Sequence, residues 1–237
     1  MKIVTLILLI IPFNIWCQTN VEVHYKSEIL IDFDTLQGPE RFKQVFKNSV
    51  EKSKLIDFVL LINVNDSLSL FKKDDLNDPS ISKMDLLTIS QILEVNGKYI
   101  NSKRKLIHDY FLLEKNLKVE VEKTVNWILT KEVKKIGDYT CLKAIGTIEY
   151  GKSKNETVEA WYTASIPLPY GPKTYHGLPG LILEIKEKNH ILYLDKIKFI
   201  SDEIKIIAPE KKDIISEKQA NSIIKIANKK AEEYFKN

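Results

Sequence analysis

The 237-residue sequence predicts an α+β, β-dominated fold: a curved antiparallel sheet or half-open barrel with two or three packed helices, including a C-terminal helix. Three observations predict it. From Lys98 to Ile200 short runs rich in branched and aromatic residues alternate with polar or glycine-containing turns, at the spacing of a meander. Near the start, VEVHYKSEILIDF (21–33) places Val21, Val23 and Tyr25 on alternate positions, the pattern of a strand with one buried face. Clear helical periodicity is confined to two segments, one after Gly38 and one at the C-terminus.

Taken in order, the chain opens with MKIVTLILLIIPFNIWCQTN, where Lys2 precedes an apolar run from Ile3 to Ile11. That run is too short to span a bilayer as a helix and polar sequence follows at once, so residues 1–17 read as a secretory signal peptide. Cleavage before Gln18 is the expectation. Lipid modification at Cys17 is the alternative, although bulky Trp16 stands where a small residue is expected. Residues 18–237 then form a single domain, exported to the periplasm or the outer-membrane periphery and at most peripherally associated with membrane. The formal charge of +4 comes from interspersed acids and bases, which describes a solvated surface and excludes a nucleic-acid footprint. Without the leader only Cys141 remains, so no internal disulfide forms and stability must come from core burial.

After the first strand, Gly38 breaks the chain, Pro39 suits a first helical turn, and Phe42, Val45, Phe46 and Val50 share one face, predicting a helix over 39–52. KLIDFVLLINVNDSLSLFKK reads as a hairpin turning at Asn65 and Asp66. Within 72–97 Asp78 and Pro79 offer a helix start, but Ile81, Met84, Leu86 and Leu87 do not settle a period. KYINS, KLIHDYFLL, LKVEVEKTV, NWILTKEVKKI, YTCLKAIGTIEY and ETVEAWYTASI are the strands of the meander. LILEIKEK and ILYLDKIKFI form a hairpin turning at Lys188 and Asn189, apolar enough to lie centrally. Ser216 and Gln219 have capping-box spacing and precede a stripe of Ile223, Ala227, Ala231 and Tyr234, predicting a helix that covers one sheet face.

Between the last two groups lies YGPKTYHGLPGLILEI (170–185), which concentrates three of the eight glycines, and four of the eight prolines lie in it or just before it. Proline at 179 and glycine at 180 suit the corners of a type II turn, with Gly180 supplying positive φ and Gly177 giving room for close packing. Leu181, Leu183 and Ile185 then share a strand face. One reading is a tight turn launching a core strand; the other is a binding loop. Trp161, Tyr162, Tyr170, Pro172, Tyr175 and His176 are the candidate binding residues, since aromatics beside a stiff proline-rich segment make a platform for a peptide, glycan or acyl chain. Tyr170 and Tyr175 are the aromatics expected to be exposed, whereas Trp161 suits a satellite core.

YTCLKA (139–144), AWYTASIP (160–167) and GPKTYHGLPGLILEI (171–185) together resemble the GLPGLI family of exported Gram-negative envelope proteins, named after the hexapeptide Gly177, Leu178, Pro179, Gly180, Leu181 and Ile182. Lys173 and Thr174 stand where that family usually has a bulky aromatic. The resemblance implies an envelope protein of unknown biochemical function with no established catalytic residues. The fold is similar to that of periplasmic lipoprotein carriers, an analogy of architecture alone.

Cys141 with His176 as its base is the one nucleophilic arrangement to weigh, but Cys141 sits in an alternating β run where an isolated cysteine is usually a small buried apolar residue. His24, His108, His176 and His190 lack metal-ligand spacing, and no GxGxxG or Walker-type loop is present, so no metal or cofactor is expected. Glu184 and Glu187 read as solvent-facing charge. The sequence therefore favours a non-enzymatic protein that binds an envelope protein, a peptide or an apolar ligand through loop 166–180 and the sheet face. The alternatives are a hydrolase or transferase using Cys141 and a structural accessory of an outer-membrane transporter.

Overall fold

The alternation in VEVHY acts as a period of two requires: Val21, Val23 and Tyr25 are buried side by side on the first strand. The computed structural model describes residues 20–236 apart from 34–35, 76–77, 103–104, 113–114, 123–124 and 151–153. The predicted leader and Cys17 lie outside these residues. Among the described residues twelve strands build one open sheet, so the β-dominated α+β expectation holds. They are β1 (Asn20–Ile29), β2 (Phe58–Asn63), β3 (Leu68–Lys73), β4 (Lys98–Ser102), β5 (Leu106–Leu112), β6 (Lys115–Glu120), β7 (Val125–Ile136), β8 (Tyr139–Tyr150), β9 (Lys154–Thr163), β10 (Leu181–Lys186), β11 (His190–Ile200) and β12 (Ile214–Ser216).

The sheet order β12-β6-β5-β4-β3-β2-β1-β11-β10-β9-β8-β7 joins two consecutive meanders, β1 to β6 and β7 to β11, along a single antiparallel seam between β1 and β11. Neighbours are antiparallel except β12 with β6. The hairpin β10–β11 lies in the middle, as its apolar arms require. β7 is an edge strand and carries exposed Ile128, Leu129 and Val133 around a break in its register with β8.

Among the described residues three α-helices accompany the sheet: α1 (Glu40–Lys52), α2 (Lys83–Ile92) and α3 (Glu217–Lys236). α2 starts later than the Asp78-Pro79 signal suggests because Ser82 is its N-cap, closed by a reciprocal capping box with Asp85. Asp85 also accepts from Ser49 Oγ and Lys52 Nζ, each at 2.7 Å, and so bolts α2 to α1. α3 places Ala220 and Ile223 over Leu117 and Val119 of β6, with the predicted Ser216/Gln219 cap in place. On the opposite sheet face Ile204 and Ile206 cover Leu61, Leu70, Ile100 and Ile107.

One aromatic row crosses the inner face, where Tyr25 opposes Phe58 and Leu60 opposes Phe71, which opposes Tyr99. The C-terminal end of α2 is held from both directions: Tyr99 Oη donates to Glu94 O at 3.0 Å, and Lys173 Nζ, from the loop before β10, donates to Leu93 O at 2.9 Å. β4 and β10 are five places apart in the sheet, so the sheet curves around α2 to bring both within reach. Among the described residues no helix is long and apolar enough to cross a membrane.

Candidate functional site

The hairpin β10–β11 closes through Glu187 N–H donating to His190 O at 2.9 Å, with Lys188 and Asn189 at the tip. His190 pairs with Ile29 of β1 and continues the inward row of Leu192, so its imidazole enters the interior, where it is 2% exposed. Ile185 points inward opposite Leu192, and Glu187, two residues on, follows the same side. A carboxylate and an imidazole are thus delivered to the same buried place by strand alternation alone.

The loop 164–180 delivers the other members. It folds back on itself through the Tyr170–His176 bridge and Gly177 N–H to Pro169 O at 3.0 Å, and it docks on β10 through Ile182 N–H to Tyr170 O. Lys173 takes a left-handed conformation at φ 55, and its buried ammonium reaches Leu93 O, Glu187 Oε2 at 2.6 Å and His190 Nε2 at 3.4 Å. It lies at the negative end of α2, where a cation is favoured. Tyr175 Oη donates to Glu187 Oε1, and His190 Nε2 lies 2.6 Å from Glu187 Oε2. Burial pushes the Glu187 carboxyl up, but the Lys173 ammonium and His190 outweigh it and hold the group well below the usual carboxylate range. Glu187 is therefore a buried anion with both oxygens occupied, not the solvent-facing charge its sequence context suggests.

Beside this cluster is a cavity of about 480 Å³, within the size range of small-molecule sites. Tyr175, Glu187 and His190 form one wall; Ile148 and Val158 supply apolar surface; Glu94 and Glu156 supply charge. His190 Nδ1 is buried with no hydrogen-bond partner. A carboxylate oxygen 2.6 Å from Nε2 requires a proton between them, which places N–H at Nε2. Among the described residues the other buried side-chain atom without hydrogen-bond geometry, Asp57 Oδ1, faces the Lys26 ammonium and is compensated by charge. A second cavity of about 720 Å³ lies between β1, β11 and α1, lined in part by Phe33, Val50 and Tyr193.

The expected aromatic platform is not what the loop builds. Tyr170 and Tyr175 are 8% and 2% exposed and Pro172 is buried with them, because the fold-back turns these side chains toward the core; Tyr162 is buried on β9, between Leu142 and Ile182 of the neighbouring strands. Trp161 is half-buried beside the Lys134–Glu184 ion pair, with Lys134 Nζ 4.4 Å from its ring centre. His176 is exposed, and its carbonyl accepts from Trp127 Nε1 at 2.9 Å. Of the six candidates only Tyr175 lines the cavity. Lys173, Glu187 and His190 were missed as site residues, although His190 had a legible signal: a histidine in the apolar row of Leu192 and Leu194.

The two motif glycines exchange their expected roles. Gly177 has φ 89 and open space around it, so it supplies the left-handed backbone. Gly180 has no positive φ; a Cβ there would fall 2.1 Å from Thr163 O, and its N–H closes a three-residue turn onto Leu178 O at 2.8 Å. The proline-glycine corner is therefore a tight γ-type turn pressed against β9, not a type II turn. Cys141 is 0% exposed, and burial pushes its thiol up to about 11, opposite to what a nucleophile needs.

No curated protein matches the chain. Among solved structures it is similar to PNGF-II, in its C2 crystal form at TM-score 0.48 and 14% identity and in its P21 form at 0.47 and 13%. In both, the likeness covers 84% of this chain and 31% of that one, so the chain spans less than a third of PNGF-II's length. An uncharacterized conserved protein from Thermus thermophilus is similar at TM-score 0.35 and 9% identity, over 84% of this chain and 91% of that one. Residues 149–184, from the end of β8 through the folded-back loop into β10, match the model of a family of proteins of unknown function, Porph_ging.

Proposed function

We propose that the chain is an exported envelope protein of the GLPGLI type that works by binding, and that it holds a small ligand in the cavity at the β10–β11 turn. The leader-like N-terminus and the hexapeptide at 177–182 support the first part, and the family match at 149–184 falls on the same stretch. The observation that carries the second part is a cavity of ligand size whose wall brings Tyr175, Glu187 and His190 together. Native mass spectrometry of the protein purified from its own envelope tests the reading, comparing wild type with Thr157→Trp, which obstructs the cavity from an exposed position. A small-molecule adduct present in wild type and lost in the variant is expected. The same adduct in both, or none in either, refutes cavity binding.

A second reading, an accessory that docks on another envelope protein, is favoured by β7, whose free edge carries exposed Ile128, Leu129 and Val133. Ile128→Lys with Val133→Lys removes a protein complex from envelope crosslinking if this reading holds, and leaves it intact if it does not.

A further inference from the structure

We infer that α1 is an interfacial helix and that the surface it fits is a bilayer carrying anionic phospholipid headgroups, a role that does not depend on the cavity reading above. The apolar stripe of α1 is covered at one end only. Ser49 and Val50 are buried, whereas Phe42 and Val45 of the same stripe are 56% and 51% exposed. Phe46 stacks on Phe42 with 6.1 Å between ring centres and meets Phe33 edge-on at 6.0 Å. Three rings and a valine thus form a continuous apolar patch, not scattered exposed residues.

Charge decides which partner the patch fits. At about 100° per residue, Arg41 and Lys43 lie about 100° to either side of Phe42, while Glu40 and Glu51 lie about 160° and 180° round, on the far face. Lys47 is one turn along from Lys43, and both line a recess with Phe33, alongside Glu40 and Gln44. Lys52 is taken by Asp85, but no ion pair engages Arg41, Lys43 or Lys47 among the described residues. Long basic side chains beside an apolar stripe can lay their stems along it and reach headgroup phosphates, as in a helix lying in the membrane plane. A second copy of the chain fits less well, because a twofold contact on this stripe would set the same three cations against each other.

The test is co-flotation of the Cys17→Ser protein, purified from the envelope so that no lipid at that residue contributes, with two kinds of vesicle. One is phosphatidylcholine alone and the other an equal mixture of phosphatidylcholine and phosphatidylglycerol. Binding to the mixed vesicles and little to phosphatidylcholine is expected. Phe42→Ser with Val45→Ser is expected to weaken that binding about tenfold or more by removing apolar contact. Arg41→Gln with Lys43→Gln is expected to weaken it about twenty-five-fold, about fivefold per cation. Thermal melts of both variants should stay near that of the parent, since all four positions are at the surface; should the Phe42 variant melt early, the Arg41 variant decides. Equal binding to both vesicles overturns the anionic assignment. Binding to neither, or mixed-vesicle binding unchanged in the two variants, overturns docking through α1. A dimer in analytical ultracentrifugation that Phe42→Ser with Val45→Ser abolishes, without vesicle binding, gives the stripe to a second copy instead.

Discussion

Lys173 Nζ and Glu187 Oε2 lie 2.6 Å apart, with side chains 5% and 11% exposed, and this pair fastens the folded-back loop to the tip of the central hairpin. Removing one member of a buried pair strands the other charge, so Lys173→Met is expected to cost about 3–5 kcal/mol in urea unfolding. Lys173→Met combined with Glu187→Gln is expected to recover part of that loss, because the stranded anion is gone. A cost below about 1 kcal/mol for the single change would place the pair with ordinary surface salt bridges.

Stability should fall steeply in acid. Glu187 is held below the usual carboxylate range by Lys173 and His190 against the cost of burial, and Asp85 by the hydrogen bonds of Lys52, Ser49 and Ser82. A carboxylate whose folded pKa is depressed gives stability that is complete above its unfolded value, about 4, and is lost as pH falls through the folded value. Unfolding free energy is therefore expected to be flat from neutral pH down to about 5 and to drop below it. In Glu187→Gln, whatever its absolute stability, the acid slope should be shallower; an unchanged slope would contradict the assignment.

Alanine at the two motif glycines separates their roles. Gly177→Ala meets open space but a strained backbone, at about 1–2 kcal/mol for a left-handed L-residue. Gly180→Ala drives a methyl group into the Thr163 carbonyl, so its cost should reach or exceed the upper end of overpacking, about 3 kcal/mol. Thermal melts of both variants check the order, and the reverse order would sink the assignment.

Cys141 provides a test of covalent chemistry. In a Cys17→Ser background, the single remaining thiol is expected to resist a disulfide reagent in the native protein and to react fully once denatured, since it is enclosed and its ionisation is suppressed. Rapid native reaction would reopen the nucleophile alternative.

The frame was legible because period-two and capping signals are local. Val21, Val23 and Tyr25, the turn after Asn63 and the Ser216/Gln219 cap are each decided by neighbours in sequence. β12 was not legible, being three residues whose sheet partner is a parallel strand nearly a hundred positions away. The site was harder still. A lysine between Pro172 and Thr174 reads as surface, and only the third dimension supplies Leu93 O and Glu187 to receive it. Tyr170 and Tyr175 were misjudged for the same reason, since proline and glycine announce that a loop bends but not toward which side its rings turn.

The β1–β11 seam has a consequence for how the molecule comes into being. Each meander pairs strands that are consecutive in the chain, whereas residues 20–29 must wait for 190–200. On a chain made from its N-terminus, the β1–β6 half has all its internal partners long before the strand that completes its inner edge exists, leaving that side of β1 open in the interval. Zipping of this long-range boundary is a slow event of the kind expected of such a topology. Because His190 is the β11 residue paired with Ile29, the imidazole and its cavity are assembled only when that seam closes.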